Sequence, residues 1–321
     1  MRIVATGSYL STVSGELPSL KALARETAGG SLRRIGRFIQ LALIGAGRCV
    51  AGRTLPETTA TYFTSCRGDL EVTLEVLVQM CEHARPPAPF AFINTVGNSA
   101  CFHVAKCFGL SGRSQFVTSR HAPLEAALRL AALDFAEGGV ATALVGSTDL
   151  CTAPLSDHRL RIGVPPDTPV GEGSHWFLLA SDDRFGPPLG AVRSVRSFPD
   201  DAALRRHLEE FRGTLQDAAL GFGQHLGADA AESLRKATGL TTRFDYRSDL
   251  PWYDSQTGYG IHRFLNAPVA PTLVHIDGDP SGRRTRSTRL PATFIAVSAS
   301  CSIVYSSGLP RLTGEIGRAH V

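Results

Sequence analysis

His121 stands where a strand–turn–helix unit would place a reactive side chain. The run Gln115-Phe116-Val117-Thr118 is short, apolar and β-branched, which predicts a buried strand. Ser119, Arg120, His121 and Ala122 then form a turn. Pro123, with Leu124, Ala127, Leu128, Ala131 and Phe135 at helical spacing, predicts a helix that Gly138-Gly139 closes. Proline suits a first helical turn because its missing N–H would go unpaired there. A strand feeding such a helix aims free N–H groups and the positive dipole end at one point. A cysteine at that point would be held as thiolate and could take an acyl group. No cysteine lies between Cys107 and Cys151, and imidazole forms no lasting thioester.

Other nucleophiles lie near this unit in the sequence. Ser119 and Thr118 offer hydroxyls beside the turn. Cys151 follows a predicted strand (residues 141–146) at its C-terminal end, where α/β folds place function. Cys101 and His103 are two apart on a predicted helix, so their side chains diverge. His275, within Val274-His275-Ile276-Asp277, reads as a hydrogen-bonded strand histidine that could face the same cleft. The glycines of the segment 44–52 fall at a helix end, not after a strand, and carry no dinucleotide fingerprint. No His, Cys, Asp or Glu spacing suggests a metal, so neither metal nor cofactor is expected.

The elements that must position these groups alternate in type. Strands are predicted at 3–10, 58–64, 90–96, 114–118, 141–146, 174–179 and 190–195, and helices at 33–50, 69–83, 98–108 and 123–138. The Pro86-Pro87-Ala88-Pro89 spacer cannot be helical. This order implies a mostly parallel sheet covered on both faces. From residue 200 the pattern restarts, with a long helix at 203–226, a shorter one at 230–238, and strands at 241–246, 272–276, 294–297 and 303–305. The second half is thinner in helices than the first.

A chain of 321 residues with 43% hydrophobic and 19% charged residues can bury one large core or two joined halves. Its formal charge of +4 is spread as single arginines, which argues against nucleic-acid binding. The denser cluster Arg283-Arg284-Thr285-Arg286 with Arg289 reads as a solvated loop. Seven cysteines without CxxC spacing suit reduced thiols, and no apolar run reaches the roughly 18 residues of a membrane span, so a cytoplasmic location is expected. Residues 315–321 look like the translation of a sequencing-library adapter, so the natural chain is expected to differ beyond about Gly314.

Four segments together resemble the β-ketoacyl synthases of the thiolase superfamily, most nearly the group that includes chain-length-factor subunits. Residues 31–43, with Arg33-Arg34, are similar to an early family helix. Thr64-Ser65-Cys66-Arg67-Gly68-Asp69-Leu70 is similar to a strand-end signature. Pro89-Phe90-Ala91-Phe92 with Asn94 and Val96-Gly97-Asn98 resembles a Pro-x-x-Phe…Asn motif. Val170-Gly171-Glu172-Gly173-Ser174 is similar to a Gly-Glu-Gly turn before an outer strand.

The resemblance implies a thiolase-like fold of two βαβαβαββ-type halves in a five-layer α-β-α-β-α arrangement, with the second half reduced. The halves would be 1–198 and 199–314. It also implies pairing through the first half with an active ketosynthase subunit, and work on chains borne by an acyl carrier protein. The family's cysteine position falls on His121. By this resemblance Asp254-Ser255-Gln256-Thr257-Gly258 stands in place of the His-Gly-Thr-Gly-Thr turn, and the later Gly-His motif has no counterpart. The implied protein is therefore a catalytically degenerate subunit in fatty-acid, aryl-polyene or polyketide synthesis. Phe92, Asn94, Asn98 and Phe102 would lie at its tunnel and seam. The alternative is an active acyltransferase or condensing enzyme using Cys151, Ser119 or His121.

Overall fold

Strands buried on both faces organise the molecule. The computed structural model describes residues 1–29, 35–120, 122–210, 212–248, 250–278 and 292–299. In chain order these form β1 (Arg2–Val13), α1 (Lys21–Ala28), α2 (Arg37–Val50), β2 (Ala60–Ser65), α3 (Leu70–Cys81), α4 (Pro89–Asn94), α5 (Asn98–Phe108) and β3 (Ser114–Thr118). Then come α6 (Pro123–Ala136), β4 (Thr142–Asp149), α7 (Leu155–Ile162), β5 (Val170–Ala180) and β6 (Gly190–Phe198). The remainder comprises α8 (Asp201–Glu210), β7 (Ala218–Phe222), α9 (Ala228–Thr238), α10 (Gln256–Asn266), β8 (Thr272–Gly278) and β9 (Ala292–Ala299).

The strands join in the order β3-β2-β4-β5-β1-β6-β9-β8-β7. Between β1 and β6 the ladder is short, Arg2↔Ala191 and Ile3↔Gly190, whereas β6 pairs with β9 from Gly190 to Phe198. Every residue of β2, β4 and β5 is buried, as strands covered on both faces must be.

Alternation along the strands builds the layers. Leu144, Trp176 and Leu178 pack outward under α1, α2 and α5. Ala143, Val145, Phe177 and Leu179 face the other way, onto Leu124, Ala127, Leu128 and Ala131 of α6 and Ile261 and Leu265 of α10. Ile295 and Val297 of the second half close that same middle layer. Beyond them Leu220, Val274, Ile276 and Ala296 pack on Leu204, Leu208 and Leu234 of α8 and α9. The order is helix, sheet, helix, sheet, helix, as the resemblance implied.

Several expected elements differ. Residues 90–96 begin as helix α4, not a strand: Pro89 at its first turn presets the helical φ, and a short apolar run cannot by itself reveal its period. The helix expected at 203–226 ends at Glu210, and Ala218–Phe222 instead pairs in parallel with β8. Residues 241–246 contribute one bridge, Leu220↔Arg243, and no strand. The Gly-Glu-Gly segment is no turn. It lies inside β5, between β1 and β4, at the centre of the first half. His121, Arg33-Arg34, the arginine-rich loop, the strand at 303–305 and the 315–321 tail lie outside the described residues.

Candidate functional site

Parallel strands β2 and β4 deliver their C-terminal ends to one place, and the turn before α6 meets them there. Asp149, the last residue of β4, accepts on Oδ1 both the Ser65 hydroxyl at 2.7 Å and the Cys66 backbone N–H at 2.9 Å. The Ser65 oxygen in turn accepts the N–H groups of Arg67 and Gly68, at 3.2 and 2.9 Å. The chain leaving β2 is thus wound around Asp149. The Cys66 thiol donates to the carbonyl of Arg120 at 3.5 Å, one residue before position 121.

The second half enters at the start of α10. Arg67 Nε donates to Asp254 Oδ2 at 2.9 Å, joining the two halves by a largely buried ion pair. Cys66 Sγ and carboxylate oxygens of Asp149 and Asp254 lie within 4.8 Å of one another. Burial first, and then the Asp149 and Asp254 charges, push the Cys66 thiol well above its ordinary value. Burial and the neighbouring Asp254 push Asp149 to about 7. The thiol therefore stays protonated. A thiol in that state is a poor nucleophile.

Beside it, β7 ends in Gly223-Gln224-His225. Gln224 donates to the Tyr253 carbonyl at 2.6 Å, and the His225 N–H donates to Asp277 Oδ1 at 3.1 Å. A Cβ at residue 223 would overlap the Asp277 carboxylate, so glycine is required there. On the first-half side, Ala122 takes φ 48° and ψ 56°, a left-handed conformation that costs a residue with a Cβ. Glu125, one turn into α6, is buried with both carboxylate oxygens unpartnered, and burial raises it to about 8.

No family model matches the sequence, and no curated protein matches it. Solved structures do. Over 94% of this chain and 100% of the other, the ishigamide ketosynthase/chain length factor superposes with a TM-score of 0.69 at 17% identity. A type II PKS acyl-carrier protein complex with its ketosynthase bound to the hexaketide gives 0.65 at 17%, over 94% of this chain and 100% of that one. A β-ketoacyl synthase from Burkholderia phymatum STM815 gives 0.66 at 13% identity, with 93% and 100% covered. The fold is that of the β-ketoacyl synthases.

Within this ketosynthase fold, the thiols of Cys151 and Cys101 are kept protonated. Cys151 is buried against Val13 and Val170, and its thiol is pushed up to about 12 by burial and Glu172. The Ser119 N–H bonds the Ser65 carbonyl at 3.2 Å, extending the β2–β3 pairing, while Thr118 is exposed. Cys101 is buried, its thiol raised to about 12 by burial, and His103 is half-buried on the neighbouring side of α5. His275 shares a 2.7 Å hydrogen bond with the Tyr246 hydroxyl, and burial holds it down to about 3. It is a buried strand histidine held at Nε2 alone, since Nδ1 has no hydrogen-bond partner.

Phe92 and Phe102 of this ketosynthase-like chain lie at the surface, 55% and 58% exposed. Asn98 is exposed as well, and Asn94 half-buried. With Leu77, Met80, Phe90, Ile93 and Val96 they form an apolar outer face on α3, α4 and α5. Next to α5 runs β3, paired among the described residues on one side only, with β2.

Cys66, Asp149, Asp254 and His225 are the groups that sequence reasoning missed. Cys66 lay inside a quoted motif at a strand end, which was signal enough. His225 was hidden by the helix read across 203–226. Asp254 belongs to the segment read as a turn replacement, and only the fold brings it to β2 and β4.

Proposed function

We propose that this chain is a catalytically silent ketosynthase-like subunit of chain-length-factor type. It pairs with an active ketosynthase and shapes the space for chains borne by an acyl carrier protein, in polyketide, aryl-polyene or fatty-acid synthesis. The observation that carries this reading is the state of the corner before α6. Position 121 is histidine in the sequence, and the thiol that reaches this turn, Cys66, is kept protonated between two carboxylates. An acyl group has no thiolate to receive it.

Two further features support pairing. An apolar face of this size with several half-exposed aromatics is what a protein buries against a partner. Beside it, β3 offers an open strand edge, a ready template for another chain. Two of the similar solved proteins are, by name, a ketosynthase/chain length factor and a ketosynthase in complex with an acyl-carrier protein. Among the described residues no helix is long and apolar enough to cross a membrane, which accords with the cytoplasmic location this reading carries.

Co-expression with an active ketosynthase tests the reading. The expected result is a stable complex in which an acyl carrier protein thioester labels the ketosynthase and adds no mass to this chain. A monomer that ignores such partners, or an acyl mass retained on this chain after denaturation, would overturn it.

A further inference from the structure

The Cys66 cluster has the construction of a metal site. Its three donors come from separate segments, yet they converge within 4.8 Å, and Cys66 and Asp149 are buried. Asp149 has one carboxylate oxygen engaged and the other left over, and Asp254 has one engaged. Asp149 Oδ1 takes the Ser65 hydroxyl and the Cys66 N–H, and Asp149 Oδ2, also buried, has no hydrogen-bond partner. Asp254 Oδ2 takes Arg67 Nε. The Ser255 hydroxyl, beside Asp254 and 1% exposed, is likewise unpartnered. Metal-binding carboxylates are oriented in this way, with outer hydrogen bonds fixing one oxygen while the other faces the ion.

Charge gives a second argument. Two carboxylates face one guanidinium, so the cluster is short of positive charge unless a carboxyl keeps its proton. A divalent cation supplies it. Sulfur among the donors selects a zinc-class ion over magnesium or calcium, which prefer oxygen alone. Zinc–donor bonds of about 2.0–2.3 Å place tetrahedral donors roughly 3.5 Å apart, so the three side chains close by about 1 Å on binding.

We infer that Cys66, Asp149 and Asp254 bind one zinc-class divalent cation at the junction of the two halves. On binding, the Cys66 S–H bond breaks, the sulfur pair bonds the metal, and the proton leaves to solvent. Three protein donors leave a fourth position for water or the neighbouring Ser255 hydroxyl. This site does not depend on the pairing reading: its failure leaves Cys66 a protonated thiol, and when metal is bound the sulfur pair is committed to the ion, so neither state offers a free thiolate to an acyl group.

Zinc content of the chelator-stripped, zinc-reloaded and desalted full chain tests it, with cobalt(II) as the spectroscopic probe. One equivalent of zinc is expected. Cobalt should give a thiolate-to-cobalt charge-transfer band in the near ultraviolet that zinc abolishes. Cys66→Ser should remove the band, and Asp149→Asn or Asp254→Asn should cut retained zinc at least tenfold. Cys81→Ser, which alters an exposed thiol, should change neither. If Cys66→Ser fails to fold, Asp254→Asn and the wild-type cobalt spectrum still decide. Wild-type protein retaining no zinc and showing no band would overturn the inference. So would a band that survives in folded Cys66→Ser, or undiminished zinc in folded Asp254→Asn.

Discussion

Arg37 Nη2 donates to both carboxylate oxygens of Glu172, at 2.7 and 2.8 Å, and so ties α2 to the N-terminal end of β5. Glu172 is completely buried, and burial still raises its carboxyl despite the arginine. Its glycine neighbours are packing requirements. A Cβ at Gly171 would strike the Ser11 carbonyl and Pro251, and one at Gly173 would strike Tyr253.

Breaking this pair leaves a buried charge alone. Glu172→Ala or Arg37→Ala is expected to cost about 3–5 kcal/mol, and replacing both by apolar residues of similar volume should recover most of it. Equilibrium urea unfolding of the three variants checks both values.

Stability should fall as pH rises above neutrality. Burial raises Glu125 to about 8 and Asp69 to about 7. In the unfolded chain such carboxyls titrate near pH 4. The native state therefore binds more protons between these values, and stability is lost as pH climbs through the folded pKa. Buried histidines work oppositely: His175 and His275 are held down to about 3 and His158 to about 4, so they add stability as pH rises. That gain is complete near the unfolded histidine value of about 6.5. Above it the carboxyls are opposed by the Met1 amino group, which burial lowers. The urea midpoint should drop from about pH 6.5 to about pH 8.5. Glu125→Gln should flatten the upper part of that fall.

Charge on the apolar face should separate pairing from folding. Phe92 and Phe102 are more than half exposed, so Phe92→Asp or Phe102→Asp should shift stability by no more than about 0.5 kcal/mol. Pairing with a ketosynthase should weaken at least about 30-fold, since an aromatic anchor at an interface is worth about 2 kcal/mol or more. Thermal melts and titration of the complex read the two effects.

Thiol labelling should follow exposure. Among the described cysteines Cys81 is exposed and Cys107, which donates to the Ala28 carbonyl at 2.9 Å, is half-buried. Cys49, Cys101 and Cys151 are pushed up to about 12, chiefly by burial. A short iodoacetamide pulse on the native protein should mark Cys81 first, as read by peptide mass spectrometry. Fast labelling of Cys66 would mean an open corner and an available thiolate, against the silent-subunit reading.

The sequence carried those parts of the fold in which local pattern and tertiary role agree. The strands β2, β3, β4 and β8 are apolar runs bounded by polar or glycine residues, and their positions follow from that alone. The β3–α6 corner was legible too, with Pro123 marking the helix start, although the left-handed backbone at Ala122 was not. Where pattern and role part, the sequence misleads. Phe90, Phe92 and Ile93 look like core, yet they lie on an outer face. The apolar residues of β7 continue the spacing of α8, so the strand vanished into a helix. Asp149 and Asp254 carry no linear signature, because the approach of α10 to β4 is set by packing across the middle layer.

That middle layer has a consequence for dissection. Helices α6 and α10 lie more than a hundred residues apart in the chain but shield one another from water, since both pack in the same middle layer. Severing the polypeptide between β6 and α8 would leave two insoluble fragments, each with a raw apolar flank. Co-produced, the same fragments should reassemble, and such a split chain would report assembly without any need for turnover.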